Sequence, residues 1–226
     1  MKTKSAKSAA KPTAKPTAKK PAIQKKDPPL PVTEIKRLAA AAYGEADPID
    51  NPDEIAGIAW AVANRARASK KTITKMLAKP GYVYATNGSN KRYNKLIKAS
   101  AKEIAADKGM SLAMEAAKNA SEKNGTDPSN GAYFWDGLDF KTNPDHYKKQ
   151  HGFHYSNPAH NIFGVEESRI SCKTTYERIN KKTKLSDKID VSNCDYVWES
   201  TAAHGKTIFW KYGKEWLRVS GGRDYG

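Results

Sequence analysis

No stretch of the 226 residues is long and apolar enough to cross a membrane as a helix. The N-terminal residues are lysine-rich but lack the apolar run of a general secretory signal. A chain that works outside the cytoplasm with such a start is expected to travel by another route. Cysteine is nearly absent, with Cys172 and Cys194 the only two. One pair excludes the paired clusters of a structural zinc site. It leaves two states open, a single disulfide closing a loop of moderate length or two buried thiols. Acidic residues are almost missing from the start of the chain. Residues 1–31 hold nine lysines and one acid, which is half of the formal net charge of +16. That stretch is Lys, Ala, Pro and Thr, with a tandem KPTA at Lys11 and Lys15. It has almost nothing to bury, so a disordered basic tail is expected over 1–31 and one folded domain over 32–226.

A chain this basic seeks an anionic partner: nucleic acid, a membrane surface, or a bacterial wall with its carboxylates and phosphates. Charge alone does not choose among them. Interspersed tyrosines keep a basic nucleic-acid-binding protein as the alternative function, although no recognised nucleic-acid-binding motif is present.

The most informative stretch runs from Tyr43 to Arg65, YGEADPIDNPDEIAGIAWAVANR. Thr33 is placed to cap a helix over about Glu34 to Tyr43, and Gly44 to end it. Glu45 then sits just beyond a helix C-terminus, where the dipole disfavours a charged carboxylate. A wall of Tyr43, Ala46 and Ile49 is expected to disfavour it further by desolvation. Both effects raise the pKa, as a general acid near neutral pH requires. The bland alternative is an exposed loop glutamate. A second helix is expected next, with Asn51 as cap, Pro52 first, and Asp53 and Glu54 in the opening turn. Ile55, Ile58, Ala59, Val62 and Ala66 recur on its buried face. Trp60 and Asn64 lie four apart on another face.

YGEA followed by DEIAGIAWAVANR resembles the opening motif of the cell wall hydrolase family that includes the spore-cortex lytic enzymes. Asp127 to Phe134 (DPSNGAYF) is similar to that family's D-P-[ST]-x-G-A-x-x-F segment. The likeness covers roughly residues 33–135 and fades after Trp135. It implies a mainly α (α+β) lysozyme-like helical domain that cleaves the β-1,4 bond between N-acetylmuramic acid and N-acetylglucosamine, with Glu45 catalytic. It leaves muramidase and lytic transglycosylase outcomes open, leaning to the single-glutamate transglycosylase route. Asp47, Asp50, Glu54 and Asp127 are the candidates for any second carboxylate. The candidate substrate-binding residues are Tyr43, Asn64, Tyr82, Tyr84, Asp127, Tyr133 and Trp135. The implied partner is peptidoglycan, met at the wall or periplasm. A wall-lysing toxin delivered into competitors, or a phage lysin, suits that reading; a toxin would add a protective immunity protein or a delivery-system component.

The rest is less explicit. Helices are expected over Ile73 to Ala78, Leu96 to Ala106 and Ser111 to Lys123, and an extended piece over Ala132 to Trp135. Four of the five histidines, His146, His151, His154 and His160, fall in one stretch. Their spacing matches no H-E-x-x-H motif, and no carboxylate or cysteine completes a ligand set in sequence, so neither metal nor cofactor is expected. A brief strand at Ile162 to Val165 and a terminal hairpin of Lys206–Tyr212 with Trp216–Val219 complete the expectation of a small β-hairpin region.

Overall fold

The computed structural model describes residues 30–122, 124–170, 172–179, 182–184 and 186–225, with backbone alone over 172–178 and 186–193. The tail expected over 1–31 lies, up to residue 29, outside the described residues. The architecture is α+β. Six helices come first: α1 (Val32–Glu45), α2 (Pro52–Ala68), α3 (Ile73–Leu77), α4 (Lys91–Lys98), α5 (Ala101–Ala106) and α6 (Lys108–Ser121). Short strands and helices follow: β1 (Phe134–Asp136), α7 (Asp139–Thr142), α8 (Tyr147–His151), β2 (Phe153–His154), β3 (Cys172–Ile179), β4 (Ser186–Cys194), β5 (Trp198–His204), β6 (Thr207–Tyr212) and α9 (Lys214–Ser220). No helix among the described residues is long and apolar enough to cross a membrane.

The start of α2 is as expected. The Asn51 side chain accepts from the Asp53 and Glu54 amides at 3.0 and 3.1 Å, with Pro52 in the first turn. This satisfies two of the amides that every helix N-terminus leaves open. Helix α1 differs from expectation at both ends. Pro31, not Thr33, is the cap residue, and Thr33 lies inside the first turn. Gly44 does not stop the helix. The Ala46 amide bonds the Ala42 carbonyl at 3.0 Å, which carries the helix through Gly44 to Glu45. Glycine serves a close approach here: a Cβ at position 44 would lie 2.8 Å from the Ala85 Cβ and 3.1 Å from Asn90 Oδ1.

Leu38 to Ala42 are fully buried, and α1 packs on α2, α4 and α6 through that small-residue face. The single helix expected over Leu96 to Ala106 is two. Ser100 caps α5 with a reciprocal pair of bonds to Glu103, which breaks the helix between Ala99 and Ser100. Helix α6 begins earlier than expected, at Lys108, because Asp107 caps it by accepting from the Met110 amide at 2.9 Å.

The main sheet runs β1-β6-β5-β2. The β1/β6 and β5/β6 pairs are antiparallel, and β2/β5 is parallel. The partner of Lys206–Tyr212 is therefore β5 and β1, not Trp216–Val219, which forms helix α9. Gly213 caps that helix; it does not turn a hairpin. Ile162 to Val165 is turn and loop, not strand. Strands β3 and β4 make a separate antiparallel pair with Cys172 opposite Cys194. Cys194 is disulfide-bonded, and no free cysteine is found among the described residues.

Two apolar cores result. One is alanine-rich and lies among α1 to α6. The other is aromatic and lies under the sheet, with Phe140, Phe153, Trp198 and Trp210 fully or almost fully buried. Strand β1 touches both by the two-residue alternation of a strand: Trp135 packs on the first core, Phe134 on the second.

Candidate active site

Glu45 sits where these two halves meet. It is the last residue of α1, half-buried, and its carboxylate accepts from two directions. The Ala85 backbone amide donates to Oε1. Ala85 belongs to a 3-10 turn, Tyr84–Asn87, which Gly44 allows to come against the helix. The Trp135 indole nitrogen donates weakly to Oε2 at 3.4 Å. Burial raises the pKa of Glu45 above the ordinary glutamate value. The bonds from Ala85, Trp135 and Tyr84 favour the charged form and oppose that rise, the nearby charge of Asp139 adds to it, and burial prevails. The direction expected from sequence therefore holds, but part of its cause is different. Ile49 is 69% exposed and forms no wall. The shielding comes from across the fold.

Tyr82 and Trp135 line that region. Their rings meet edge to face at 5.3 Å, and the Tyr82 hydroxyl donates to the Tyr133 carbonyl at 3.1 Å. Arg65 is buried between two aromatic faces, 4.2 Å from the Tyr82 ring centroid and 4.3 Å from that of Phe134. It steadies the aromatic wall and makes no contact with Glu45. Tyr84, 75% exposed, stands at the rim beside Ala85. Tyr133 is half-buried, with its hydroxyl on Asp224 Oδ2 at 3.0 Å.

Three of the residues singled out from sequence sit elsewhere. Tyr43 is buried in the helical core under the Arg92 guanidinium, 3.8 Å from its ring centroid. Asn64 donates to Asp127 Oδ2 at 2.9 Å and to the Ala132 carbonyl at 3.3 Å. Asp127 also accepts from the Ser129 amide and hydroxyl and from the Gly131 amide. Asn64 and Asp127 thus bolt the second motif onto α2 and position β1; neither reaches Glu45.

The remaining sequence candidates for a second carboxylate are also engaged. Asp47 pairs with Lys206 at 2.9 Å, and that bond holds its pKa below the ordinary value. Asp50 pairs with Arg92 at 2.6 Å. Glu54 is 1% exposed and accepts from the Thr207 hydroxyl at 2.7 Å, out of reach of any ligand.

Sequence reasoning missed a group on the sheet side. Lys148 Nζ lies 2.8 Å from Asp136 Oδ2; His146 Nε2 lies 3.3 Å from Asp136 Oδ1 and 3.6 Å from Asp139 Oδ2. Two carboxylates do join one of the clustered histidines, which sequence spacing alone had not brought together. One ligand atom from each of Asp136, Asp139 and His146 falls within 4.8 Å of the others. The Lys148 ammonium already supplies positive charge at Asp136. Desolvation acts to lower the His146 pKa, but the bonds to Asp136 and Asp139 outweigh it and push it up to about 9. The Lys148 amide donates to Nδ1 at 3.3 Å, a long bond that favours the neutral ring and works against the two carboxylates at Nε2. His151, His154 and His160 point to other partners: the Tyr147 carbonyl, Glu167 and Ser200. The signal that was available is the acidic spacing D-G-L-D immediately after the aromatic strand, Asp136 to Asp139.

No family model, no curated protein and no solved structure matches this chain.

Proposed function

We propose that this chain cleaves peptidoglycan glycan strands at the β-1,4 bond between N-acetylmuramic acid and N-acetylglucosamine, with Glu45 as the proton donor. The observation that carries the reading is the seat of that carboxyl. Burial raises its pKa, and bonds from Ala85 and Trp135 hold it in one orientation. A general acid needs both a pKa moved towards the working pH and a fixed direction for its proton. On this reading α1, α2 and strand β1 form a lysozyme-like cleft, and Tyr82, Tyr84 and Trp135 offer aromatic faces to the C–H groups of the sugars.

Glu45 gives its proton to the glycosidic oxygen as the bond from that oxygen to the muramic anomeric carbon breaks. The glucosamine side departs as an alcohol, and positive charge develops at the anomeric carbon. The muramic C6 hydroxyl attacks that carbon and returns its proton to the Glu45 carboxylate, restoring the acid. The products are a 1,6-anhydro end and a free 4-hydroxyl. The engagement of Asp47, Asp50, Glu54 and Asp127 elsewhere supports this route over one with a protein nucleophile. The net charge of +16 favours association with an anionic wall.

The test uses purified sacculi and mass spectrometry of the released muropeptides. Glu45→Gln keeps size and hydrogen-bonding reach but has no carboxylic proton. Turnover is expected to fall at least about 10²-fold with the fold intact. Parent products are expected to be anhydro sugars, lighter by one water than hydrolytic ones. A folded, active Glu45→Gln protein removes the reading. Reducing ends from the parent would keep the acid and replace the transglycosylase route by hydrolysis.

A further inference from the structure

Glu45 does not act in an electrically neutral surround. The chain Lys148, Asp136, His146, Asp139 alternates in sign with steps of 2.8, 3.3 and 3.6 Å. Its inner members are almost wholly buried; its last, the Asp139 side chain, is 68% exposed. Lys148 balances Asp136, so the positive charge of His146 is available to Asp139. The Phe140 ring, fully buried, meets His146 edge to face at 5.2 Å and fixes the imidazole. The segment is aimed by the same strand that serves the acid: Trp135 donates to Glu45, Asp136 is next in β1, and Asp139 follows at the start of α7.

We infer that Asp139 is the second working carboxylate of the cleft: anchored by His146 and carried on the segment that follows Trp135, it stabilises the positive charge that develops at the anomeric carbon of the bound sugar. This rests on the glycan-cleaving reading above and deepens it. No bond forms to Asp139, and it neither gives nor takes a proton, so the proton cycle through Glu45 and the C6 hydroxyl is unchanged. The charges around the pair support the division of labour. Asp139 is held below the ordinary aspartate range by its bond to His146, while Glu45 is raised by burial, with the charge of Asp139 adding to that rise. Two carboxyls whose surroundings drive their pKa values apart are suited to opposite roles, one acid and one anion. Tyr82, another titratable neighbour of Glu45, has its own pKa raised by burial, so it stays neutral through the working range.

The experiment compares parent, Asp139→Asn, Asp139→Glu and Glu45→Gln on purified sacculi, reading kcat and KM across pH and the products by mass. Asp139 is exposed, so its substitutions are expected to fold, and a thermal melt checks it. Asp139→Asn is expected to lower kcat about 10²-fold, the scale of losing one electrostatic partner of a transition state. KM should change little and the product type not at all. The high-pH limb, set by deprotonation of Glu45, should move to lower pH, because a negative charge that favours the protonated acid is gone. Asp139→Glu should recover part of the rate.

An Asp139→Asn protein with parental rate and limb, alongside a silent Glu45→Gln, overturns this inference and leaves the acid in place. A loss of rate with an unmoved limb also overturns it, since a merely structural role would act that way. An active Glu45→Gln removes the underlying reading itself.

Discussion

The helical and sheet halves of this protein are stabilised in opposite ways. The helical core is made largely of alanine: Ala39 to Ala42, Ala59, Ala61, Ala63, Ala113 and Ala117 are all essentially buried. Small side chains bury little area each, but they let helix axes approach closely, so stability comes from many modest contacts. The sheet core has few residues and large ones. Phe140, Phe153, Tyr155 and Trp210 meet mostly edge to face at centroid distances of 5.0 to 5.9 Å. The first kind of core is rigid because backbones touch; the second because a few rings lock one another. Glu45 is carried by the first and Asp139 by the second, and both depend on how the two are joined. The joints are Gly57 against Phe209, Asn64 against Asp127, and Trp135 against Tyr82.

The largest expected effect tests whether the aromatic half stands alone. Phe140→Ala removes a fully buried ring from a core with few members and takes away the face that fixes His146. A loss of about 3–5 kcal/mol is expected, the usual range for emptying a large aromatic site. If the halves form one cooperative unit, the helical signal in the far ultraviolet and the aromatic signal in the near ultraviolet will fall together on heating. An aromatic transition well below the helical one would show two independent bodies, and the shared site would lose its basis.

The same contrast explains what could be read from sequence. Helix α2 was legible because its signals are local: Asn51, Pro52 and the recurrence of Ile55, Ile58, Ala59, Val62 and Ala66 lie within one element. The upward direction of the Glu45 pKa was legible, and so was β1 as an extended aromatic piece. The shield of Glu45 was not legible, since Trp135 lies 90 residues away and Ala85 lies 40 away. Gly44 was misread as a stop because sequence shows a missing Cβ but not the Ala85 side chain that requires it. The terminal hairpin failed for a related reason. Strand β6 was found, but pairing is not local, and β5 carries no turn signal stronger than Gly205. Asp139 and His146 were separated by a stretch that reads as polar loop, and only the fold of α7 and α8 brings them together.

A smaller effect probes the joint itself. A Cβ at Gly57 would lie 2.4 Å from Cζ of Phe209, too close without displacing either the helix or the ring. In an unobstructed helix interior, glycine to alanine is stabilising by up to about 1 kcal/mol. Here the sign is expected to reverse, with Gly57→Ala costing about 1–3 kcal/mol through overpacking. Chemical denaturation of the two proteins measures it. A more stable Gly57→Ala protein would mean that the halves are loosely apposed and that strand β1 is not held firmly enough to aim Trp135.

The smallest effect separates the two halves by pH. Glu45 has a folded pKa raised above its ordinary value of 4.5, so its contribution to stability is complete below about 4.5 and is lost as pH rises through the folded value. His146 has a folded pKa of about 9 against an ordinary value of 6.5, so its contribution is complete below 6.5 and is lost as pH rises through 9. Both losses come with rising pH, but they occupy different windows. Glu45→Gln cannot ionise and should escape only the first. Its melting temperature should match the parent at low pH, rise above it through the Glu45 window, and then stay a constant distance above it while both proteins lose the His146 contribution between 6.5 and 9. The plateau is worth about 1.4 kcal/mol for each tenfold loss of Glu45 acidity on folding, the net of burial and the opposing bonds. His146→Asn should do the converse, removing the loss between 6.5 and 9 and leaving the lower window untouched. A gap between Glu45→Gln and parent that keeps widening above pH 7 would mean that Glu45 and His146 titrate as one coupled system, with Asp139 as the link between the halves. A gap that never opens would mean that the Glu45 carboxyl ionises as freely as one in water, and an acid of that kind has no advantage near neutral pH.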